Sequence, residues 1–284
     1  MTAAAAAEDA LRGGDPGGAL ALLQAEVRNK PADAGLRVFL FQLLCVLGQW
    51  ERALNQLKVA ADLDASALAM ANMYGAAVRC EAMRASVFAG QKSPMIFGEP
   101  DQWLALLIES LLVGGQGDVA RAEELRLRAF DAAPASSGDI DGRRFEWIAD
   151  ADSRLGPVLE AMINGRYYWI PFSRLSVVDI EAPVDLRDAV WMPAHIQFEN
   201  GGETLALIPT RYPGSEKSAD GLIALARKTE WVEAGEDIHH GLGQRLLATD
   251  TDETPLMDIR RIAIDPVAAE PDQDDPDQEQ EQDG

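Results

Sequence analysis

Gly165 to Ser215 reads GRYYWIPFSRLSVVDIEAPVDLRDAVWMPAHIQFENGGETLALIPTRYPGS, and it decides how the chain divides. Three of the four tyrosines fall inside it, Tyr167, Tyr168 and Tyr212; Tyr74 lies outside. Apolar residues recur here with a period close to two, the spacing of strands, whose neighbouring side chains point to opposite faces. Tyr167, Trp169 and Phe172 alternate imperfectly, and Leu175, Val177 and Ile180 flank a strand. Val190 to Phe198 forms another, which Pro193 marks as an edge or a bulge. Asn200-Gly201 is a tight-hairpin dipeptide and joins Phe198 to a strand from Thr204 to Ile208.

Downstream, Ser218 to Ala226 reads as a short helix or loop. Thr229 to Val232, Gln244 to Thr249 and Leu256 to Ile264 read as further short strands. Short strands separated by frequent turns fit a small antiparallel barrel or sandwich. Upstream, Gly156 and Pro157 look like the N-cap and first position of a helix, with Val158, Leu159, Met162 and Ile163 as its apolar stripe and Asn164-Gly165 as its end. The C-terminal half is therefore expected to be α+β, with one helix leading into the sheet.

The first half is Ala/Leu-rich and helical in pattern. Gly14, Ala19, Leu20 and Leu23 recur 34 residues later as Gly48, Ala53, Leu54 and Leu57. Thirty-four is the tetratricopeptide period: glycine ends one helix in a tight turn, alanine lets paired helices approach, and leucines fill the seam. A looser third copy starts at Gly117-Asp118 and ends at Pro134. Leu36 to Leu47 is apolar nearly all round and belongs in the centre of the bundle. Met70, Met73, Tyr74, Ala77 and Cys80 share one face of a helix from about Ser66 to Ala89 and read as core packing. Pro94 and Pro100 bracket a loop, after which Asp101 can cap the next helix.

These readings give a tetratricopeptide-like α-α superhelix over 1–134, a polar junction at 135–144, an α+β domain with short antiparallel strands over 145–264, and an acidic tail over 265–284. The net charge is −22, and nine of the acids lie in that tail with no Lys or Arg among them. Such a tail is too polar to fold. The rest of the chain remains acidic and would be repelled by phosphate, so neither nucleic acid nor an anionic membrane is expected as a partner. No apolar run approaches the roughly 18 residues of a membrane span. The opening MTAAAAAEDALRGG lacks the basic start of a secretory signal, so the protein is expected in the cytoplasm. Cys45 and Cys80 sit in apolar helical patterns and read as buried thiols.

The sequence offers no recognisable catalytic, cofactor-binding or metal site. Gly214-Ser215-Glu216 is not a nucleophile elbow. Gly241-Leu242-Gly243-Gln244 lacks the Lys-Ser/Thr of a phosphate loop and reads as a turn. Ala149 to Asp152 lacks the glycine and distal glutamate of a calcium loop. His239 and His240 read as a solvated loop, and His195 as a partly buried strand residue. Arg166, Arg174, Asp185, Arg187, Asp188 and Arg211 are expected to fix loops by pairing. A second reading uses Arg187 and Arg211 with Tyr167, Tyr168, Trp169, Trp191 and Tyr212 as a partner-binding surface, since Trp, Tyr and Arg dominate such surfaces.

The segments FEWIADADSRLGPVLE (Phe145–Glu160), GRYYWIPF (Gly165–Phe172), DLRDAVWMPA (Asp185–Ala194), ALIPTRYPGSE (Ala206–Glu216) and RKTEW (Arg227–Trp231) resemble the ImpE family, also called TagJ or SciE, encoded with bacterial type VI secretion systems. The resemblance extends over about Leu11 to Ile264. It implies a non-enzymatic accessory protein that binds the N-terminal helix of the small sheath subunit TssB and influences, indirectly, how the ClpV ATPase handles the sheath. It supplies no catalytic residues. Two rivals are a general assembly scaffold or chaperone, and a hydrolase built on the Arg/Asp cluster.

Overall fold

The structure, a computed structural model, describes residues 2–99, 101–235 and 238–266. The sequence reading of a disordered tail falls, from residue 267 onward, outside them. Asp265 is described, and its carboxylate receives two hydrogen bonds from Arg144 and one from Ser137.

The first half holds α1 (Ala3–Arg12), α2 (Pro16–Asn29), α3 (Ala34–Val46), α4 (Trp50–Leu63), α5 (Leu68–Phe88), β1 (Met95–Ile96), α6 (Gln102–Gly115) and α7 (Val119–Ala132). Local chemistry sets the starts. Thr2, Asp15, Asp33 and Asp118 each accept a hydrogen bond from a first-turn amide of their helix, satisfying donors that no helical carbonyl reaches. Gly14, Gly48 and Gly117 stand at positive φ of 79°, 63° and 93° where α1, α3 and α6 give way to the next helix, a conformation that glycine adopts without a Cβ clash. The 34-residue offset therefore marks equivalent turns in two successive helix pairs. Asp101 departs from expectation: it precedes α6 without capping it, and its carboxylate lies 3.0 Å from Arg174 instead.

The second half holds β2 (Gly138–Ile140), β3 (Arg143–Phe145), β4 (Ile148–Asp150), β5 (Val158–Ile163), β6 (Arg166–Pro171), β7 (Leu175–Ile180), β8 (Trp191–Phe198), β9 (Glu203–Pro209), the short α8 (Gly221–Ala224), β10 (Thr229–Gly235), β11 (Ile238–Gly243), β12 (Leu246–Thr249), β13 (Glu253–Pro255) and β14 (Arg261–Ile264). Nine strands form one sheet in the order β1-β6-β5-β9-β8-β7-β14-β2-β3. Every pairing in it is antiparallel except β1 with β6. The order has two ends, β1 and β3, so of the small antiparallel barrel or sandwich read from the sequence, the antiparallel strands are present and the largest sheet is open rather than closed into a barrel. A three-stranded sheet β13-β12-β4 and a two-stranded ribbon β10-β11 complete the half.

The expected helix from Pro157 is strand β5. All six of its residues are buried, and a strand covered on both faces reads as a continuous apolar run, which periodicity cannot separate from a buried helix. Pro193 lies in an internal strand, just past the last β7 register pair at Ala194; its carbonyl still accepts the Glu181 amide at 3.0 Å, and only the N–H that proline lacks is missing there. The loop between Pro94 and residue 100 contains β1, through which the helical half joins the sheet.

Alternation along the strands splits the interior in two. Met162, Tyr167, Trp169, Trp191 and Leu207 pack with the helices, among them the buried residues of α3. Leu159, Ile170, Met192, Ile196 and Ile208 face the other way, onto Ile148, Leu247 and Ile262. The aromatic stretch of the sequence is thus the seam between helices and sheet.

Candidate functional site

Glu160 occupies the middle of β5, opposite Trp169, and is fully buried. Three donors converge on it. Arg84 of α5 makes a two-pronged pair, Nε to Oε1 at 2.7 Å and Nη2 to Oε2 at 3.0 Å. Arg245 donates to Oε2 from the other side. The Tyr167 hydroxyl donates to Oε1 at 2.5 Å and accepts from Trp169 Nε1 at 2.7 Å. Arg245, also fully buried, reaches Asp150 Oδ2 at 2.7 Å and the Pro209 carbonyl at 3.1 Å.

The network extends into the helices. Glu81, one turn before Arg84, accepts from Trp191 Nε1 at 2.8 Å and lies 3.6 Å from Arg84. Arg84 also donates to the Arg211 carbonyl at 2.8 Å. Arg211 sends its guanidinium to the Cys45 and Val46 carbonyls at 2.9 and 2.7 Å, and to the Ala224 carbonyl. One buried arginine thus closes the C-terminal end of α3 and ties it to α8, as a cation at a helix C-terminus should.

Electrostatics follow from the geometry. Burial opposes charge on Glu160, but Arg245 and Arg84, helped by Tyr167, hold its carboxyl down to about 2. Burial pushes Asp150 up to about 7 against the pull of Arg245. It also raises Glu81, against Arg84 and the Trp191 N–H. Burial and the Glu160 charge push the Tyr167 hydroxyl well above its ordinary value. Buried ions in such an arrangement are held by mutual pairing, and Arg84, Glu160 and Arg245 are paired with one another, with Glu81, Asp150 and the Tyr167 hydroxyl, and with backbone carbonyls. The arrangement can lock two layers together.

The residues proposed for partner binding lie mostly within this seam. Tyr167, Trp169, Trp191, Arg211 and Tyr212 are buried, so their assignment to a docking surface is corrected. Trp191 packs against Trp50 and Tyr74 with ring centroids 6.0 and 6.1 Å apart, and Trp169 against Phe88 at 6.1 Å. Large rings with one polar atom serve an internal joint for the same reason they serve an external one. Tyr168 and Arg187 are half-buried; Tyr168 meets Phe97 edge-on at 6.0 Å, and Arg187 lies 4.7 Å over the Tyr74 ring while pairing with Asp185.

The groups considered for hydrolysis are separately engaged. Asp185 holds Arg187, Asp188 accepts the Val184 and Asp185 amides, and His195 faces Glu203 at 3.4 Å across β8 and β9. Arg166 is exposed at the start of β6. Among the described residues no group of three His, Cys, Asp or Glu could hold a metal ion, and no helix is long and apolar enough to cross a membrane. His239 and His240 are strand residues of β11, not a loop. The expected turn at Gly241 to Gly243 is the end of that strand. Gly241 leaves room for the Tyr212 ring, which an added Cβ would meet at 2.2 Å.

Glu160, Arg84, Arg245 and Asp150 carry the network, and none stood out in the sequence. The one available signal was Glu160 alone in an apolar run, since a buried charge demands partners.

On the surface, a cleft of about 730 Å³ opens between the helices and the loop before β8. Leu11, Val38, Phe39, Leu186 and Leu225 line it, with Val184, 86% exposed, at its edge. A second cleft, of about 530 Å³, lies between α5 and β9; Met73 and Leu205 line it.

Residues 142–263 match the family described as ImpE protein. Over 263 residues the chain is 50% identical to the type VI secretion system accessory component TagJ of Pseudomonas aeruginosa, covering 93% of this chain and 92% of that protein. The fold is similar to the crystal structure of a Vibrio parahaemolyticus protein, with a TM-score of 0.84, 25% identity, and coverage of 92% of this chain and 98% of that one.

Proposed function

We propose, from the premise that this chain belongs to the ImpE family, that it is a cytoplasmic accessory component of a bacterial type VI secretion system and captures the N-terminal amphipathic helix of the small sheath subunit TssB. The observation that carries the reading is the cleft of about 730 Å³ at the seam. Its lining mixes apolar side chains with Glu8, Arg12, Gln42, Asp185 and Arg227, and it is open to solvent, a form that can receive an amphipathic helix through anchors at i, i+3, i+4 and i+7. In this reading 1–134, as a tetratricopeptide-like superhelix, supplies one wall and 145–264 the other. The buried ionic network keeps the walls at a fixed separation. The protein acts by binding, without catalysis, and holding the sheath subunit's helix alters how ClpV engages the sheath.

Retention of a TssB N-terminal peptide by the full-length chain tests this. Val184→Glu places a charge on an exposed apolar position of the cleft; it should weaken capture about tenfold while leaving the fold intact. Leu205→Glu, in the second cleft, should have no effect. Loss of capture in Leu205→Glu alone would move the helix to the second cleft. Failure of the full-length chain to retain the peptide would end the adaptor reading, and equal retention of unrelated helical peptides would favour a general assembly chaperone.

A further inference from the structure

The ribbon β10-β11 is finished on one side only. Gln244 donates its amide to the Lys228 carbonyl at 3.0 Å, and the register pairs Glu230 with Leu242 and Val232 with His240. Backbone groups alternate direction along an antiparallel strand. Lys228, Glu230 and Val232 therefore face β11, while Thr229, Trp231 and Glu233 turn their N–H and C=O groups outward.

The outward side of β11 is closed. Its Gly243 amide donates to Ser215 Oγ at 2.8 Å, Gly241 to Asp152 Oδ2 at 2.8 Å, and His239 to Ser153 Oγ at 3.1 Å. The Gly243 and His239 carbonyls accept from Tyr212 and Ser153. The outward groups of β10 have no such partners among the described residues. Residues 230 to 233 are all exposed, Trp231 by 36% and Val232 by 47%. The ribbon is held from behind, where Trp231 packs on Tyr212 with ring centroids 5.7 Å apart.

We propose that this edge of β10 accepts an extended segment of another protein as a third, antiparallel strand, and that the segment carries the pattern basic-apolar-apolar-basic. An open, anchored edge supplies the backbone hydrogen bonds of strand addition. Charge and register supply the sequence. Glu230 to Asp237 contains four acids and no Lys or Arg. Lys228 meets Glu230 at 2.5 Å, while Glu233 has no ion-pair partner among the described residues. Side chains directly opposite on neighbouring strands share a face. Basic residues therefore fall opposite Glu233 and Glu230, and apolar ones opposite Val232 and Trp231. A second copy of this chain fits poorly, because it would bring the same acidic edge and another net charge of −22 against the first.

The probe is the end-capped peptide Thr-Lys-Val-Val-Lys-Thr added to the full-length protein. Amide exchange should slow at Thr229, Trp231 and Glu233 and stay unchanged at Glu230 and Val232, which are already bonded. Glu233→Pro deletes an outward donor without touching the β10-β11 ladder and should weaken the peptide about tenfold. Glu233→Lys keeps the edge and should reverse the preference toward Thr-Glu-Val-Val-Glu-Thr. Both variants should retain the TssB peptide as the parent does, which separates this surface from the cleft. Equal binding of the two peptides by the parent, unchanged affinity in Glu233→Pro, or uniform exchange along β10 would overturn the proposal. So would a concentration-dependent dimer of the parent that Glu233→Pro abolishes, since the edge would then belong to a second copy.

Discussion

Arg84 and Glu160, 76 residues apart in sequence, face each other as a two-pronged ion pair with both side chains almost wholly out of solvent. The pair joins the longest helix of the first half to β5, the third strand from one end of the sheet. Its worth lies less in net stabilisation than in the cost of breaking it, because a lone charge left there has no water to turn to.

Removing the shared acid should be severe. Glu160→Ala strands both Arg84 and Arg245 in the interior and should cost about 3–5 kcal/mol in denaturant unfolding. Arg84→Met combined with Glu160→Ala should cost less than the two single changes summed, since each change removes the other's partner. Additive losses would show that the pair does not act as a unit.

Arg211 should not be replaceable by lysine. Its planar fork reaches the Cys45, Val46 and Ala224 carbonyls together, and an ammonium lacks that geometry. Arg211→Met should cost about 2–4 kcal/mol, as charged hydrogen bonds are lost and buried carbonyls are left bare. Arg211→Lys should recover less than half of it in thermal melts.

Acid should act on this protein through opposing groups. Burial, with Arg154 beside it, pushes His240 down to about 4 from 6.5. Its contribution is whole above pH 6.5 and is lost as pH falls toward 4, because the unfolded chain takes up that proton first. Asp150, raised from 3.8 to about 7 by burial, does the reverse: the native chain binds its proton first, favouring the fold as pH drops from 7 toward 3.8. Glu160, lowered from 4.5 to about 2, adds a loss only below pH 4.5. Between pH 7 and 5, Asp150→Asn should therefore lose stability on acidification more steeply than the parent, and His240→Gln should gain it. Denaturation midpoints across that range give the slopes.

Gly241→Ala should disturb the ribbon from beneath. The new methyl would meet the Tyr212 ring at 2.2 Å, forcing apart the packing on which Trp231 rests. A cost of about 1–3 kcal/mol is expected, with faster amide exchange in β11 before any change in α3.

The legible parts of the sequence were those fixed by near neighbours. Gly14 and Gly48 end helices at positive φ of 79° and 63°, and Gly201 takes the positive φ of 81° that a hairpin after Phe198 needs. Those signals act over a few residues and survive in one dimension. Strand β5 was missed because full burial erased its alternation, and β11 because glycines and histidines look like a loop until Tyr212 and Asp152 are placed against them.

By itself, then, the sequence determined that a helical half precedes a strand-rich one, which segments are apolar enough for the interior, and the family to which they belong. It could not assign the roles of Tyr167, Trp169, Trp191 and Arg211, whose residue types suit an exposed docking face and a buried joint equally well. Tertiary structure decided that they form a joint, because Glu160 receives Arg84 and Arg245 from 76 and 85 residues away. The low dielectric of that seam makes the pairing strong and its absence costly. With those aromatics buried, the described residues leave open to solvent a cleft at the seam and the outer edge of β10.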